Sequence, residues 1–314
     1  MLSRIAVLAP LLALAIPALA DATPAFAGGE DVIVGILESL SPGSATALQQ
    51  SYGRTATAVV RVAFAKRAGK WEAYRSDVAD LEELNAAHRD FPKSVTWTVT
   101  LDGKSRGRLE SALPDRWLSY SHIGMQLARP GNAVPRFGKR SADFEPFDAD
   151  APVYRPVVLV SQPRVSQSPQ PEVRDPQKWK PAKFGDGDLK RALADFRRQV
   201  NTEDPQLQFG DGDVRPGKAY SSAAGGVLFA LAIRGRKPPA DEVPGPAWSP
   251  HWFVANGSGP IRFLGSKMTL IDAGDYDNDG QSEVVFMKVG YNFTGYVLFF
   301  DDFRQSVEFG WSYH

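Results

Sequence analysis

Alternating hydrophobic and polar residues recur along the first half of the chain and predict β-strands. Val59–Phe64 and Trp71–Tyr74 frame a polar turn at Lys66–Lys70, and Thr96–Leu101 alternates, turns at an Asp-Gly pair and returns through Arg108–Glu110. Short alternating runs of β-branched and aromatic residues around such turns are typical of hairpins. The pattern therefore predicts a β-rich N-terminal region.

In three segments the spacing of the apolar residues is instead that of an α-helix. Short helices are expected at Ser44–Ser51 and Asp80–Asp90, the second ending before Pro92. Asp186–Val200 shows the clearest helical pattern, because Leu189, Leu193 and Phe196 recur at i, i+4 and i+7.

The last fifty residues return to short runs rich in aromatic and β-branched residues, at Met268–Ile271, Glu283–Val289 and Tyr296–Phe300. Between the two β-rich parts, residues 161–183 are rich in Pro, Ser and Gln, and they predict a linker because Pro fixes φ and cannot donate to a strand ladder. The expected fold is mainly β with a few short helices, divided into an N-terminal lobe at 21–160 and a C-terminal lobe at 184–314.

Residues 1–20 read as a secretory signal peptide. Arg4 precedes an uncharged, mostly apolar stretch at Ile5–Leu19, and Ala18-Leu19-Ala20 supplies the small-x-small cleavage pattern. The apolar stretch is shorter than the roughly 20 residues that span a bilayer, and Pro10 and Pro17 interrupt it. We therefore expect a periplasmic or secreted protein with no transmembrane segment in the mature chain.

Composition narrows the possible roles. The 314 residues include 36 basic and 36 acidic side chains and no cysteine. A neutral chain lacks the basic surface that nucleic-acid binders need, so no nucleic-acid partner is expected. Without cysteine there is no disulfide and no thiolate ligand or nucleophile, so a hydrophobic core or a bound ion must stabilise the exported protein.

One loop carries a pattern with specific chemistry. Asp275, Asp277 and Asp279 alternate, Gly280 follows, and Glu283 stands at the ninth position. Ca²⁺ takes six to eight oxygen ligands, mostly carboxylates and carbonyls, and alternating acids on a curled loop supply them together with the backbone carbonyl of Gln281. The residues alone leave open a calcium site, a magnesium site, or an acidic turn without an ion.

This strand–DxDxDGxxE–strand arrangement resembles the calcium loop of FG-GAP and VCBS type repeats, which occur in integrin-like β-propellers and many exported bacterial proteins. An EF-hand does not fit, because its twelfth position would be Phe286 instead of a bidentate Glu. The resemblance covers residues 267–288 and implies Asp275, Asp277, Asp279 and Glu283 as side-chain ligands, with Gln281 through its carbonyl, of a structural Ca²⁺. A full propeller is not expected, because only one copy is present.

No catalytic motif stands out in the chain. Gly103–Gly107 matches G-x-S-x-G, but an amphipathic hairpin surrounds it instead of the buried strand and helix that a nucleophile elbow requires. We therefore expect a non-enzymatic binding or structural module of the bacterial cell envelope. The alternative is an exported hydrolase acting on glycan or cell-wall substrates, with a site that the sequence does not identify.

The aromatic residues near the C-terminus raise the possibility of a glycan or protein ligand. Tyr291, Phe293, Tyr296, Trp311 and Tyr313 alternate with polar residues. Exposed aromatic faces stack on sugar rings and bind peptides. The alternative for the same residues is a sheet packed against a second layer.

Overall fold

A computed structural model describes residues 31–40, 42–56, 58–129, 156–162, 172–183, 185–233, 249–257, 259–290 and 292–312. Its first sheet has seven strands in the order β1-β7-β4-β5-β6-β2-β3, and a further pairing of β1 with β2 closes six of them into a ring. The strands are β1 (Val32–Ser39), β2 (Ala58–Arg67), β3 (Lys70–Ala73), β4 (Ser94–Thr100), β5 (Ser105–Ala112), β6 (Met125–Ala128) and β7 (Val157–Ser161). Their inward side chains, among them Trp97 and Phe64, are fully buried.

The second sheet is antiparallel and carries a helix on one face. Its order is β12-β11-β10-β9-β8. The helix packs on the sheet through a buried stripe of Ala192, Phe196 and Val200, spaced at i, i+4 and i+8. The strands are β8 (Lys180–Pro181), β9 (Val214–Ser221), β10 (Gly226–Ile233), β11 (His251–Asn256) and β12 (Ile261–Ser266).

The third sheet lies between the other two as a four-stranded antiparallel meander in the order β13-β14-β15-β16. Its strands are β13 (Met268–Gly274), β14 (Glu283–Gly290), β15 (Phe293–Phe300) and β16 (Gln305–Ser312). Because side chains alternate along a strand, Tyr296 and Leu298 join the core of the first sheet. Their neighbours Val297 and Phe299 join a core shared with the second sheet.

Three α-helices occur in the described part of the chain: α1 (Pro42–Tyr52), α2 (Leu81–His88) and α3 (Asp186–Glu203). The carboxylate of Asp80 accepts a hydrogen bond from the Glu83 amide at 2.8 Å and so caps α2. None of these helices is long and apolar enough to cross a bilayer. The signal-peptide prediction concerns residues outside the described ranges.

The expected mainly β fold with short helices is confirmed. Two details differ from the sequence pattern. Lys66 lies inside β2 and not in the turn, which is formed by Ala68 and Gly69 in positive-φ conformations. Residues 180–181, placed in the predicted linker, form a short strand at the edge of the second sheet, where Pro181 is tolerated. The division into two lobes stays a prediction.

Candidate metal site

The acidic loop joins β13 to β14 at one end of the third sheet. The two strands pair up to Gly274 and Glu283, and the residues between them curl into a compact loop. Asn278 and Gly280 have φ of 61° and 88°. These left-handed conformations suit Asn and Gly, and they turn the chain back on itself so that its carboxylates converge.

Backbone amides hold the loop in shape by donating to its own carboxylates. The Asp279 amide donates to Oδ1 of both Asp275 and Asp277, at 3.0 and 3.1 Å, and the Gly280 amide donates to Asp275 Oδ2 at 3.0 Å. The Tyr276 amide donates to Glu283 Oε2 at 2.8 Å. The carboxylates are therefore fixed before any ligand arrives, which lowers the entropic cost of binding one.

Three acidic side chains form the centre of the site. Asp275, Asp277 and Glu283 each place a carboxylate oxygen so that the three atoms lie within 4.8 Å of one another. Glu283 is 2% exposed, and the side chain of Asp277 is 1% exposed. Buried carboxylates this close together disfavour one another's ionised forms, so this cluster can hold a metal ion.

The electrostatics of the loop show the same demand for positive charge. Burial, together with the charges of Asp277, Asp279 and Asp275, raises the pKa of Glu283 to about 9. Burial also raises the pKa of Asp275 above its ordinary value, although amide donors oppose that rise. The ionised form of Glu283 is therefore disfavoured unless positive charge is brought to the loop.

Lys66 reaches the loop from β2 of the first sheet. Its ammonium group contacts Asp277 Oδ2 and lies 3.8 Å from Asp279 Oδ2. Burial acts to lower the pKa of Lys66, but the hydrogen bond to Asp277 and the surrounding negative charges raise it overall. Lys66 is therefore a charged counter-ion within the cluster.

Further contacts tie the loop to the rest of the molecule. The Asp275 amide donates to the Arg174 carbonyl at 2.7 Å. The backbone of Arg174 also forms an isolated antiparallel β-bridge with Lys104, at the tip of the β4–β5 hairpin. Asp272, within β13, accepts from Thr100 Oγ1 at 3.0 Å and from the Asp102 amide at 2.8 Å. The loop therefore links the third sheet to the first through backbone and side-chain bonds.

The predicted ligand residues occupy different positions in the loop. The structure brings Asp275, Asp277 and Glu283 together. Asp279 lies at the exposed edge with 42% of its side chain accessible, and its Oδ1 accepts from the Gln281 amide at 2.8 Å. The ligand roles of Asp279 and of the Gln281 carbonyl stay predictions. Lys66 could not be predicted as part of the site, because nothing near it in the sequence signals a partner that lies 211 positions away.

The serine of the G-x-S-x-G match, one histidine and three of the C-terminal aromatic residues also have defined positions in the structure. Ser105 begins β5 beside the hairpin turn, as expected for a charged tip, and its hydroxyl accepts from the Val173 amide at 3.3 Å. His251 is fully buried, with Nδ1 3.0 Å from the Ser249 carbonyl. Tyr296 and Trp311 pack in the core of the first sheet, whereas Phe293 is half-buried.

Comparison of the chain with protein-family models, with curated proteins and with solved structures found no match to any of them.

Proposed function

We propose that the protein is an exported, non-enzymatic binding or structural module of the bacterial cell envelope, and that its 275–283 loop holds a structural Ca²⁺ ion. The observation that carries the proposal is the convergence of the Asp275, Asp277 and Glu283 carboxylates within 4.8 Å, two of these side chains being almost fully buried. Export rests on the sequence of residues 1–20.

The donor set favours calcium over other divalent cations. Carboxylates and backbone carbonyls are hard oxygen ligands, and Ca²⁺ accepts six to eight of them in flexible geometry. Mg²⁺ requires near-ideal octahedral coordination and retains several waters, so it makes less use than Ca²⁺ does of several converging protein oxygens. A thiolate-preferring metal has no ligand in this chain, which contains no cysteine.

The structural role follows from what the loop connects. The Asp275 amide of this loop donates to the Arg174 carbonyl, while the preceding Asp272 binds the end of β4. An ion that fixes the loop would therefore fix the contact between two sheets. In a chain without disulfides, such an ion would supply a cross-link between segments distant in sequence.

Thermal unfolding of the mature protein tests the calcium site. With Ca²⁺ at one hundred times its Kd, an ion that binds only the folded state stabilises by about 2.7 kcal/mol, which raises the Tm by about 5 °C. We expect this rise with Ca²⁺, a smaller one with Mg²⁺, and reversal by chelator. Asp277→Asn should abolish the rise, whereas Asp90→Asn, at an exposed position after α2, should keep it. Equal effects of Ca²⁺ and Mg²⁺, or no rise in the wild type, would contradict the proposal.

A further inference from the structure

A cavity of about 400 Å³ opens between the first and third sheets, away from the acidic loop. One wall is the Ser76–Ala79 segment after β3, and the opposite wall is formed by β15 and β16. Its volume lies within the range of small-molecule sites. The lining combines three aromatic residues, Tyr120, Phe293 and Trp311, with two carboxylates, Asp77 and Glu308.

The charged side chains that line the cavity all have the same sign. Among the described residues that line it, two are acidic and none is basic. A cation would therefore find the carboxylate of Asp77, the carboxylate of Glu308 in competition with Lys288 at the edge of the cavity, and the negative faces of aromatic rings.

An ammonium group already occupies the edge of this site. Lys288 Nζ lies 2.8 Å from both carboxylate oxygens of Glu308 and 5.9 Å from the centre of the Phe293 ring. The carboxylate and the ring together thus bind a primary amine within the protein itself. An incoming amine would meet the same groups, with Asp77 as an additional acceptor.

The aromatic wall is held in place by glycine. A Cβ atom on Gly310 would collide with the Phe293 ring, so the ring can approach β16 this closely only because Gly310 has none. The guanidinium of Arg61 lies 4.0 Å from the centre of the Trp311 ring and holds that ring in place. Because Trp311 is 6% exposed and already has a cation against its ring, we expect an incoming amine at the carboxylates and the apolar part of the ligand against the half-buried rings of Phe293 and Tyr120.

We propose that this cavity binds a small organic cation, in which a protonated amine contacts Asp77 and Glu308 and a ring or carbon chain packs on the aromatic wall. The inference rests on the binding role proposed above and gives it a ligand class. It uses none of the residues of the calcium loop, so each proposal can fail without the other.

Three probes with the same ring separate charge from shape: benzylammonium, benzyl alcohol and benzoate. Binding is measured by calorimetry and by amide chemical shifts of Ser76 and Gly310, on the full mature protein in Ca²⁺. One exposed ion pair contributes up to about a factor of five, and two carboxylates line the cavity. We therefore expect benzylammonium to bind at least about fivefold more tightly than benzyl alcohol, and benzoate not to bind.

Matched variants test the residues. Asp77→Asn and Glu308→Gln should each weaken benzylammonium binding about two- to fivefold. Lys288→Met should strengthen it, because the variant removes the ammonium that competes for Glu308; a general loss of folding could not produce this opposite effect. Asp115→Asn, which removes an exposed carboxylate outside the cavity, should change nothing. Equal binding of benzyl alcohol, no binding of any probe, or an equal effect of Asp115→Asn would overturn the inference.

Discussion

The ammonium group of Lys66 contacts Asp277 and supplies part of the positive charge that a bound metal ion would bring to the loop. The ammonium of Lys66 neutralises one charge of the acidic cluster but leaves the others unbalanced, and the pKa of Glu283 is accordingly raised to about 9. A divalent cation in the cluster would balance those charges and would also repel Lys66. The lysine and the metal ion are therefore expected to compete for the same carboxylate.

Replacing Lys66 by methionine tests this competition. Two unit charges about 4 Å apart near a protein surface interact by about 4 kcal/mol, and about a third of that energy already corresponds to a factor of ten, so removing the ammonium should tighten Ca²⁺ binding by about tenfold or more. In chelator, the same variant should unfold at a lower temperature than the wild type, because the cluster loses its counter-ion. Lys70→Met, at the exposed start of β3, is the control. Weaker Ca²⁺ binding by Lys66→Met would show that the lysine supports the site instead of competing with the metal.

His122 is a second residue with a definite electrostatic state. Burial and the nearby Arg61 charge lower its pKa from 6.5 to about 4, and its Nδ1 lies 2.6 Å from the Tyr52 hydroxyl. Between pH 4 and 6.5 the unfolded state therefore binds a proton that the folded state does not, and stability falls as the pH falls through this window. We expect an NMR titration to place the pKa near 4, and His122→Phe to reduce the loss of stability between pH 6.5 and 4. A titration midpoint near 6.5 would contradict this assignment.

At the scale of elements, α3 shows what the sequence pattern can establish. Its apolar spacing predicted a helix over Asp186–Val200, and the helix extends to Glu203. The buried stripe includes Phe196, whose ring contacts Phe209 and His251. The stripe is what attaches the helix to the second sheet, because most helix stability in proteins comes from packing of one face.

Truncating this stripe should release the helix. Phe196→Ala removes a fully buried aromatic ring, and such changes cost about 3–5 kcal/mol of unfolding free energy. Lys190→Ala, on the exposed side of the same helix, should change it by about 0.5 kcal/mol or less. Urea unfolding of the two variants provides the comparison. Similar effects of both substitutions would show that α3 does not pack on the sheet through Phe196.

Strands β2 to β5 of the first sheet and β13 to β15 of the third could be predicted from sequence, because their runs of β-branched and aromatic residues flank polar turns. Strands β1, β6, β7 and β16 of the same two sheets were not predicted. The second sheet was not predicted. Gly226–Ile233 is apolar throughout, as expected for a strand covered on both faces, and Pro216 interrupts the pattern of β9, which accommodates it at a bulge. The carboxylates Asp275, Asp277 and Glu283 were found because they are close in sequence, whereas Lys66 depends on packing between sheets.

At the scale of the whole molecule, the third sheet connects the other two. Along β15, Tyr296 packs toward the first sheet and Val297 toward the second. The acidic loop lies at the end of this middle layer, and its bonds to Lys66 and Arg174 reach residues of other segments. An ion in the loop is therefore expected to affect more than the loop itself.

Hydrogen exchange measures how far this effect extends. The Asp102 amide donates to Asp272, and Lys104 bridges to Arg174, whose carbonyl accepts from Asp275. If calcium fixes the loop, exchange at Asp102 and Lys104 should slow on adding Ca²⁺, by up to about a hundredfold at one hundred times the Kd.

The amide of Leu48 in α1 is the internal reference. Leu48 belongs to a separate hydrophobic cluster, so Ca²⁺ should slow exchange at its amide less than at the hairpin tip. Asp277→Asn should remove the calcium effect at both hairpin amides. Slowed exchange confined to residues 275–283 would mean that the ion orders only its own loop. Slowed exchange at the hairpin tip, lost in Asp277→Asn, would mean that the ion joins two sheets, because Asp272 and Arg174 connect the tip to β13 and to the loop.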